Sequence, residues 1–257
     1  MDFSVALMIL FAGLFSGFVD AIAGGGGLIM IPALMLGGLP VHAAIATNKL
    51  CGTTGCFTSS LKFARAKLVD WRACAAMGVP AVFGAVLGSR LISMLSRDWA
   101  EPIVIVLLVA VTLWVLFKPK LGGDAGDATA SPGVSPARMV QSGALGALFG
   151  FHDGFVGPGT GTFIVFALLA LWSMNFVRGT GSAKVINLMT NLAAVISFLW
   201  VGAVDLPKGI IASAGVVVGA YAGASLAATK GARLIKPLFV IVTAIIVGKL
   251  LVGYLLR

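Results

Sequence analysis

Apolar runs dominate the chain, and short polar or glycine-rich breaks divide them into ten. The runs cover roughly residues 3–23, 27–39, 41–64, 73–95 and 101–117, then 138–156, 159–172, 174–202, 206–228 and 236–255. Most are long enough for a helix to cross a bilayer core of ~30 Å. A helix over 27–39 rises only ~20 Å and reads as a half-helix or re-entrant element, as does its counterpart at 159–172. The runs are continuous rather than alternating in period two, which predicts helices and argues against a β-barrel. The predicted fold class is therefore an all-α polytopic membrane protein with 8–10 transmembrane helices, some short or broken. Between the fifth and sixth runs lies "KPKLGGDAGDATASPGVSP" (residues 118–136), whose Gly, Pro and Ser content predicts a flexible linker. This gives a first transmembrane repeat over 1–117, a linker over 118–137 and a second repeat over 138–257.

The two sets of five runs match each other. Lys49 pairs with Lys184, Asp70 with Asp205, Gly84 with Gly219, Gly88 with Gly223 and Pro102 with Pro237, each pair 135 positions apart. Asp20 and Asp153 stand 133 apart. Lys and Arg collect on the cytoplasmic side of membrane proteins, so their placement reports orientation. In the first set they crowd between the third and fourth runs, at Lys62, Arg65, Lys67 and Arg72. In the second set they lie one loop later, at Lys230, Arg233 and Lys236. A bias displaced by one loop predicts two repeats of inverted topology, with five crossings each, both termini outside and the linker cytoplasmic. Inverted repeats around a central site are a common plan of secondary transporters.

Composition sharpens this picture. Of 257 residues, 59% are hydrophobic and 11% charged, with mean hydropathy +1.06, whereas soluble domains carry about 25% charged residues. The 34 glycines suit helices that pack closely in lipid. The net charge of +9 sits mostly at run ends, which fits topology and anionic lipid; no nucleic-acid-binding module is visible. Cys51, Cys56 and Cys74 form no C-x-x-C pair, and with only two histidines neither a disulfide framework nor a zinc site is expected. No cofactor is implied. Ala21-Ile22-Ala23 resembles a cleavage site, but no positive charge precedes it, so a signal peptide is not expected.

Candidate chemistry concentrates in two glycine motifs and two lysines. "FVDAIAGGGG" (residues 18–27) and "FHDGFVGPGTG" (residues 151–161) put an aspartate before glycines inside apolar sequence. Gly24, Gly25, Gly26 and Gly27, and Gly157, Gly159 and Gly161 with Pro158, are expected to break helices. Broken backbone at membrane depth must be buried in protein or line a wet cavity. A new helix after the break aims its N-terminus, and a partial positive charge, at an anion. Lys49 and Lys184 each stand eight or nine residues into an apolar run, ~12–14 Å deep, where a bare lysine costs ~2.5–3.5 kcal/mol. Thr47, Asn48, Thr53, Thr54, Ser182, Asn187 and Asn191 supply hydroxyls and amides around them, which describes an anion path. Arg178 reads as a mouth residue or an interfacial anchor. Asp20 and Asp153 read as salt-bridge partners of the lysines or as proton carriers, with His152 beside Asp153 as a further titratable group. Asp70 and Asp205 are expected to cap helices. No G-x-G-x-x-G or G-K-[ST] nucleotide loop is present, and no rhomboid-like, presenilin-like or H-E-x-x-H pattern points to an intramembrane enzyme.

The stretches "GLFSGFVDAIAGGGGLIMIPAL" and "GALFGFHDGFVGPGTGTFIVFAL", followed by "ATNKL" and "GSAKVINL" and then by "LVDW" and "AVDLP", resemble the TauE/SafE family over almost the whole chain. The resemblance implies a multi-pass exporter, in a bacterial or archaeal inner membrane, of small sulfur-containing anions such as sulfite or organosulfonates. Read onto this chain, Lys49 and Lys184 would attract the anion and the helix ends at the glycine motifs would bind its oxygens. Rocking of the two halves would give alternating access, driven by protons, another coupling ion or the anion's own gradient. A passive anion channel is the alternative reading. The expected partners are thus a small anion, the lipid bilayer and a coupling ion.

Overall fold

The computed structural model describes residues 2–117 and 135–230. They form α1 (Phe3–Ala23), α2 (Gly27–Leu36), α3 (Val41–Arg65), α4 (Trp71–Met94), α5 (Arg97–Phe117), α6 (Pro136–Phe155), α7 (Thr160–Trp172), α8 (Phe176–Trp200) and α9 (Leu206–Lys230), with no strand among the described residues. The apolar run 236–255 and most of the predicted linker, residues 118–134, lie outside the described residues. The linker ends earlier than predicted: Pro136 occupies the first turn of α6, and Ser135 caps it by accepting a hydrogen bond from Arg138 N–H. Proline fits there because its missing N–H would have had no helical partner.

Four of the described helices, α1, α4, α8 and α9, are long and apolar enough to cross a membrane. The protein is membrane-integral. Helices α2 and α7 have 10 and 13 residues, so they rise only ~15 and ~20 Å, well short of a bilayer core. Each turns back along the helix before it. The Ser16 hydroxyl in α1 donates to the Gly26 carbonyl at 2.9 Å, while Gly37, at the far end of α2, packs on Ile9. In the same way Thr160, at the start of α7, bonds His152, and Trp172 at its end donates to the Ser142 hydroxyl at 3.0 Å. Helix α2 is apolar on every side, and Leu28 through Leu34 are all buried, as an all-round apolar helix requires.

Glycine faces decide which helices meet. Gly13 and Gly17 of α1 lie against Ala212 and Val216 of α9, and Gly215, Gly219 and Gly223 of α9 lie against Leu10, Leu14 and Phe18. The two helices therefore run side by side in the same direction. Helices α4 and α6 do the same: Gly146, Gly150 and Gly154 face Met77, Ala81 and Ala85, while Gly84 and Gly88 face Ala147 and Phe151. At these places a Cβ would overlap a backbone carbonyl oxygen. Small residues every fourth position let two backbones touch, the main source of packing attraction in lipid.

These contacts interleave the chain. Helix α9, from the second half, packs with α1 and α3; helix α4, from the first half, packs with α6 and α8. Among the described residues α1, α2, α3 and α9 form one bundle, with α5 against α3, and α4, α6, α7 and α8 form another; the two meet chiefly where α3 crosses α8. The two sequence halves interleave because the glycine stripes of α4 and α9 fit helices of the opposite half.

Helices α3 and α8 run antiparallel. Near the start of α3 the Thr47 hydroxyl accepts from Asp205 N–H at 2.9 Å, beyond the end of α8. Near the start of α8 the Ser182 hydroxyl accepts from Asp70 N–H at 2.9 Å, beyond the end of α3. Asp70 and Asp205 cap α4 and α9: the Asp70 carboxylate accepts from Arg72 and Ala73 N–H, and that of Asp205 from Lys208 N–H. Burial pushes the Asp205 carboxyl up, but the Lys208 N–H and ammonium outweigh it and hold the group below the usual aspartate range.

Candidate transport site

Both glycine motifs break their helices. Gly24 and Gly25 adopt φ of 73° and 109°, and Gly157 and Gly159 adopt 94° and 83°, backbone that L side chains rarely take. The two breaks touch: a Cβ on Gly24 would overlap the backbone of Gly161 and Thr162.

The lysines approach these breaks from α3 and α8. Lys49 and Lys184 are each 1% exposed, and so are true interior cations rather than snorkelling ones. Their partners are crossed between the halves. Lys49 Nζ lies 3.0 Å from Asp153 Oδ1, and Lys184 Nζ lies 2.8 Å from Asp20 Oδ2. Two interior cations and two interior carboxylates leave the site neutral overall. Pairing is what makes charges at this depth tolerable.

The carboxylates differ in their remaining bonds. Asp20 Oδ1 accepts from the N–H groups of Gly25 and Gly26, both at 3.1 Å, so this carboxylate occupies the N-terminus of α2. The helix end expected to hold substrate oxygens is, in this conformation, held by the protein's own anion. Asp153 has only Lys49 against one oxygen; its buried Oδ2 has no hydrogen-bond partner.

A polar cavity of about 40 Å³ lies between α1, α3, α6 and α8, lined by Asp20, Asn48, Lys49, Asp153, Asn187 and Asn191, and by Gly25, Gly26, Gly27, Gly157 and Gly161. At ~10–15 Å³ per water it has room for a few water molecules. Lys184 stands behind Asp20 and does not line it; nor do Gly24, Gly159 or His152, whose Nδ1 bonds Thr160 Oγ1 at 2.8 Å. Thr47 and Ser182, expected around the lysines as ligands, instead tie α3 and α8 to the loops that precede α9 and α4, the helix each bundle takes from the opposite half. Thr53 and Thr54 bond their own helix at the Lys49 and Cys51 carbonyls. Arg178 is an ion-pair partner of Asp70 at 3.1 Å across the halves.

Sequence reading missed Ser16, Cys51, Cys56, Gly52 and Gly55, which also line the cavity. Helical spacing from Lys49 would have found the last three, since i+3, i+6 and i+7 share its face. Gly52 makes room for Asn191: a Cβ there would lie 2.5 Å from Asn191 Oδ1. Among the described residues no cluster suits a metal ion.

Buried ion pairs at broken helices, inside a membrane-integral bundle, are the equipment of a membrane transporter. The chain belongs to the TauE/SafE family: residues 9–250 match the family described as "Sulfite exporter TauE/SafE". It is 37% identical over 253 residues to a "Probable membrane transporter protein" of Haemophilus influenzae, covering 97% of this chain and 96% of that one. It is 34% identical over 251 residues to the "Probable membrane transporter protein ORF9" of Sinorhizobium sp, covering 98% and 94%. It is likewise 34% identical over 247 residues to the "Probable membrane transporter protein YfcA" of Escherichia coli K12, covering 95% and 88%. No solved structure matches the chain.

Proposed function

We propose that this protein is a secondary transporter that exports a small sulfur-containing or organic anion, such as sulfite or a sulfonate, across a bacterial or archaeal inner membrane by alternating access. The observation that carries this reading is the crossed pair of interior salt bridges, Lys49–Asp153 and Lys184–Asp20, set at two touching helix breaks around a polar cavity. An anion of this size can replace one carboxylate as the partner of an ammonium group, and neither charge is then left bare. Inverted repeats fit the antiparallel course of α3 and α8, which stand at equivalent places in the two halves. The moving bodies are the two interleaved bundles rather than the two sequence halves, with the α3–α8 crossing as the surface on which they rock. The family description supports both the sulfur anion and the outward direction.

The test is a thermal-shift screen of purified protein against sulfite, sulfate, thiosulfate and organosulfonates, followed by counterflow in proteoliposomes. At least one sulfur oxyanion is expected to raise the melting temperature and to show counterflow, which Lys49→Gln and Lys184→Gln abolish. Full transport by both variants would overturn the assignment. Flux without counterflow would make the protein a channel, and a chemically altered anion would make it an enzyme.

A further inference from the structure

The two aspartates occupy matching places but carry different sets of donors, and a single residue explains why. Around Asp20, the N–H groups of Gly25 and Gly26 stand five and six positions on, and both bond Oδ1. Five positions after Asp153 stands Pro158, which has no N–H to give. The next residue, Gly159, turns left-handed at φ 83°, whereas Gly26 is right-handed at φ −52°. Asp153 Oδ2 is consequently buried without a partner in a residue only 3% exposed. A buried acceptor left unpaired is costly, and more so when it is charged. The same cavity holds a second buried acceptor without a partner, Asn187 Oδ1, in a residue 4% exposed. Two orphan acceptors in one polar cavity call for a donor.

We infer that Asp153, and not Asp20, is a proton-binding site of the transport cycle, and that a proton on Asp153 Oδ2 frees Lys49 to take the anion. This rests on the anion-carrying reading above. Protonation of the carboxylate removes its charge, so the Lys49–Asp153 ion pair opens and the ammonium becomes the partner of the incoming anion. The proton comes from water entering the cavity and leaves the same way once the anion has gone and Lys49 re-pairs. The neutral site gains one positive and one negative charge together, so its net charge does not change. Proton and anion therefore move in the same direction, outward when the anion accumulates inside.

The surroundings favour a proton over a metal cation. The titratable groups near Asp153 are Lys49 and Cys56 on α3, Lys184 on α8, Asp20 on α1 and its neighbour His152 on α6. Helix α7 contributes the Thr160 hydroxyl to His152, and the α4 residues that face the α6 glycines, Met77, Pro80, Ala81 and Ala85, carry no titratable group. Both carboxylates are already paired with ammonium groups, and among the described residues no cluster of ligands suits a metal ion. A proton needs one acceptor.

The test uses the purified full-length protein and methanesulfonate, which carries no titratable proton near neutrality. Calorimetric titration in buffers of different ionisation enthalpy reads the protons taken up per anion bound, with about one expected in the wild type. Asp153→Asn is expected to bind with no proton uptake and no pH dependence. Pro158→Gly, which restores a donor, is expected to move the pH dependence of binding to lower pH. Infrared difference spectra recorded on acidification, without any anion, should show a protonated-carboxyl band that is absent in Asp153→Asn and present in Asp20→Asn. Proton uptake that survives in Asp153→Asn, a band lost instead in Asp20→Asn, or binding that follows sodium rather than pH would each overturn the inference. Should no sulfonate or sulfite bind the wild type, the anion reading fails, and the infrared bands still decide where the proton sits.

Discussion

At the scale of single residues, the interior charges of this protein are tolerable only as pairs. Lys49 and Asp153 are 1% and 3% exposed, and neither has water enough to stand alone. Removing one partner of such a pair typically costs ~3–5 kcal/mol, because the other is left buried and bare. Lys49→Met is therefore expected to lower stability by about that much in detergent-purified protein, measured by thermal or denaturant unfolding. Lys49→Met combined with Asp153→Leu should recover most of the loss, since replacing a buried pair by apolar side chains is often neutral. Transport should be absent from both proteins. A double variant no more stable than the single one would mean that the pair does not act as a unit.

At the scale of elements, the glycine stripes are the main determinants of helix pairing. Gly150 lies so close to Ala81 that a Cβ would overlap its carbonyl oxygen, whereas a Cβ on Gly143, two turns earlier on the same helix, would lie 3.7 Å from Pro80 in ordinary contact. Gly150→Ala should thus push α4 and α6 apart at a cost of ~1–3 kcal/mol. Gly143→Ala should stay within about 0.5 kcal/mol of the wild type. Melting temperatures of the two variants side by side check this; equal values would show that the close approach is not what holds these helices together. The caps work at the same scale. Thr47→Val removes the acceptor of the part-buried Asp205 N–H and should cost ~0.5–1.5 kcal/mol, the usual net worth of one hydrogen bond.

At the scale of the whole molecule, interleaving couples the two halves in folding and, on the proposed transport cycle, in motion. Helix α4 shows its glycine face to α6, and α9 shows its own to α1, so neither half can bury its packing surface alone. Residues 1–117 and 135–257 expressed separately are each expected to be protease-sensitive and polydisperse, and to assemble when co-expressed as two chains. A single half that runs monodisperse and resists protease would contradict the interleaved architecture. The same geometry forbids rocking of one sequence half against the other, since that motion would tear two backbone-to-backbone interfaces. Motion at the α3–α8 crossing disturbs neither.

The sequence by itself determined the membrane-embedded helices, the two glycine breaks, the short α2 and α7, the caps at Asp70 and Asp205 and the two interior lysines. All of these are local: a hydrophobic run, a residue without a Cβ or a cap before a helix carries its physics within a few positions. Only the tertiary structure decided that Lys49 meets Asp153 and Lys184 meets Asp20, that Thr47 and Ser182 face loops rather than the cavity, and that α4 and α9 trade places. Those choices depend on which surfaces fit when distant segments meet, and a pattern read along the chain holds no term for that. The repeat hid the remaining difference: both aspartates look alike in the sequence, and the orphaned oxygen of Asp153 becomes visible only once its missing donor is located in space at Pro158.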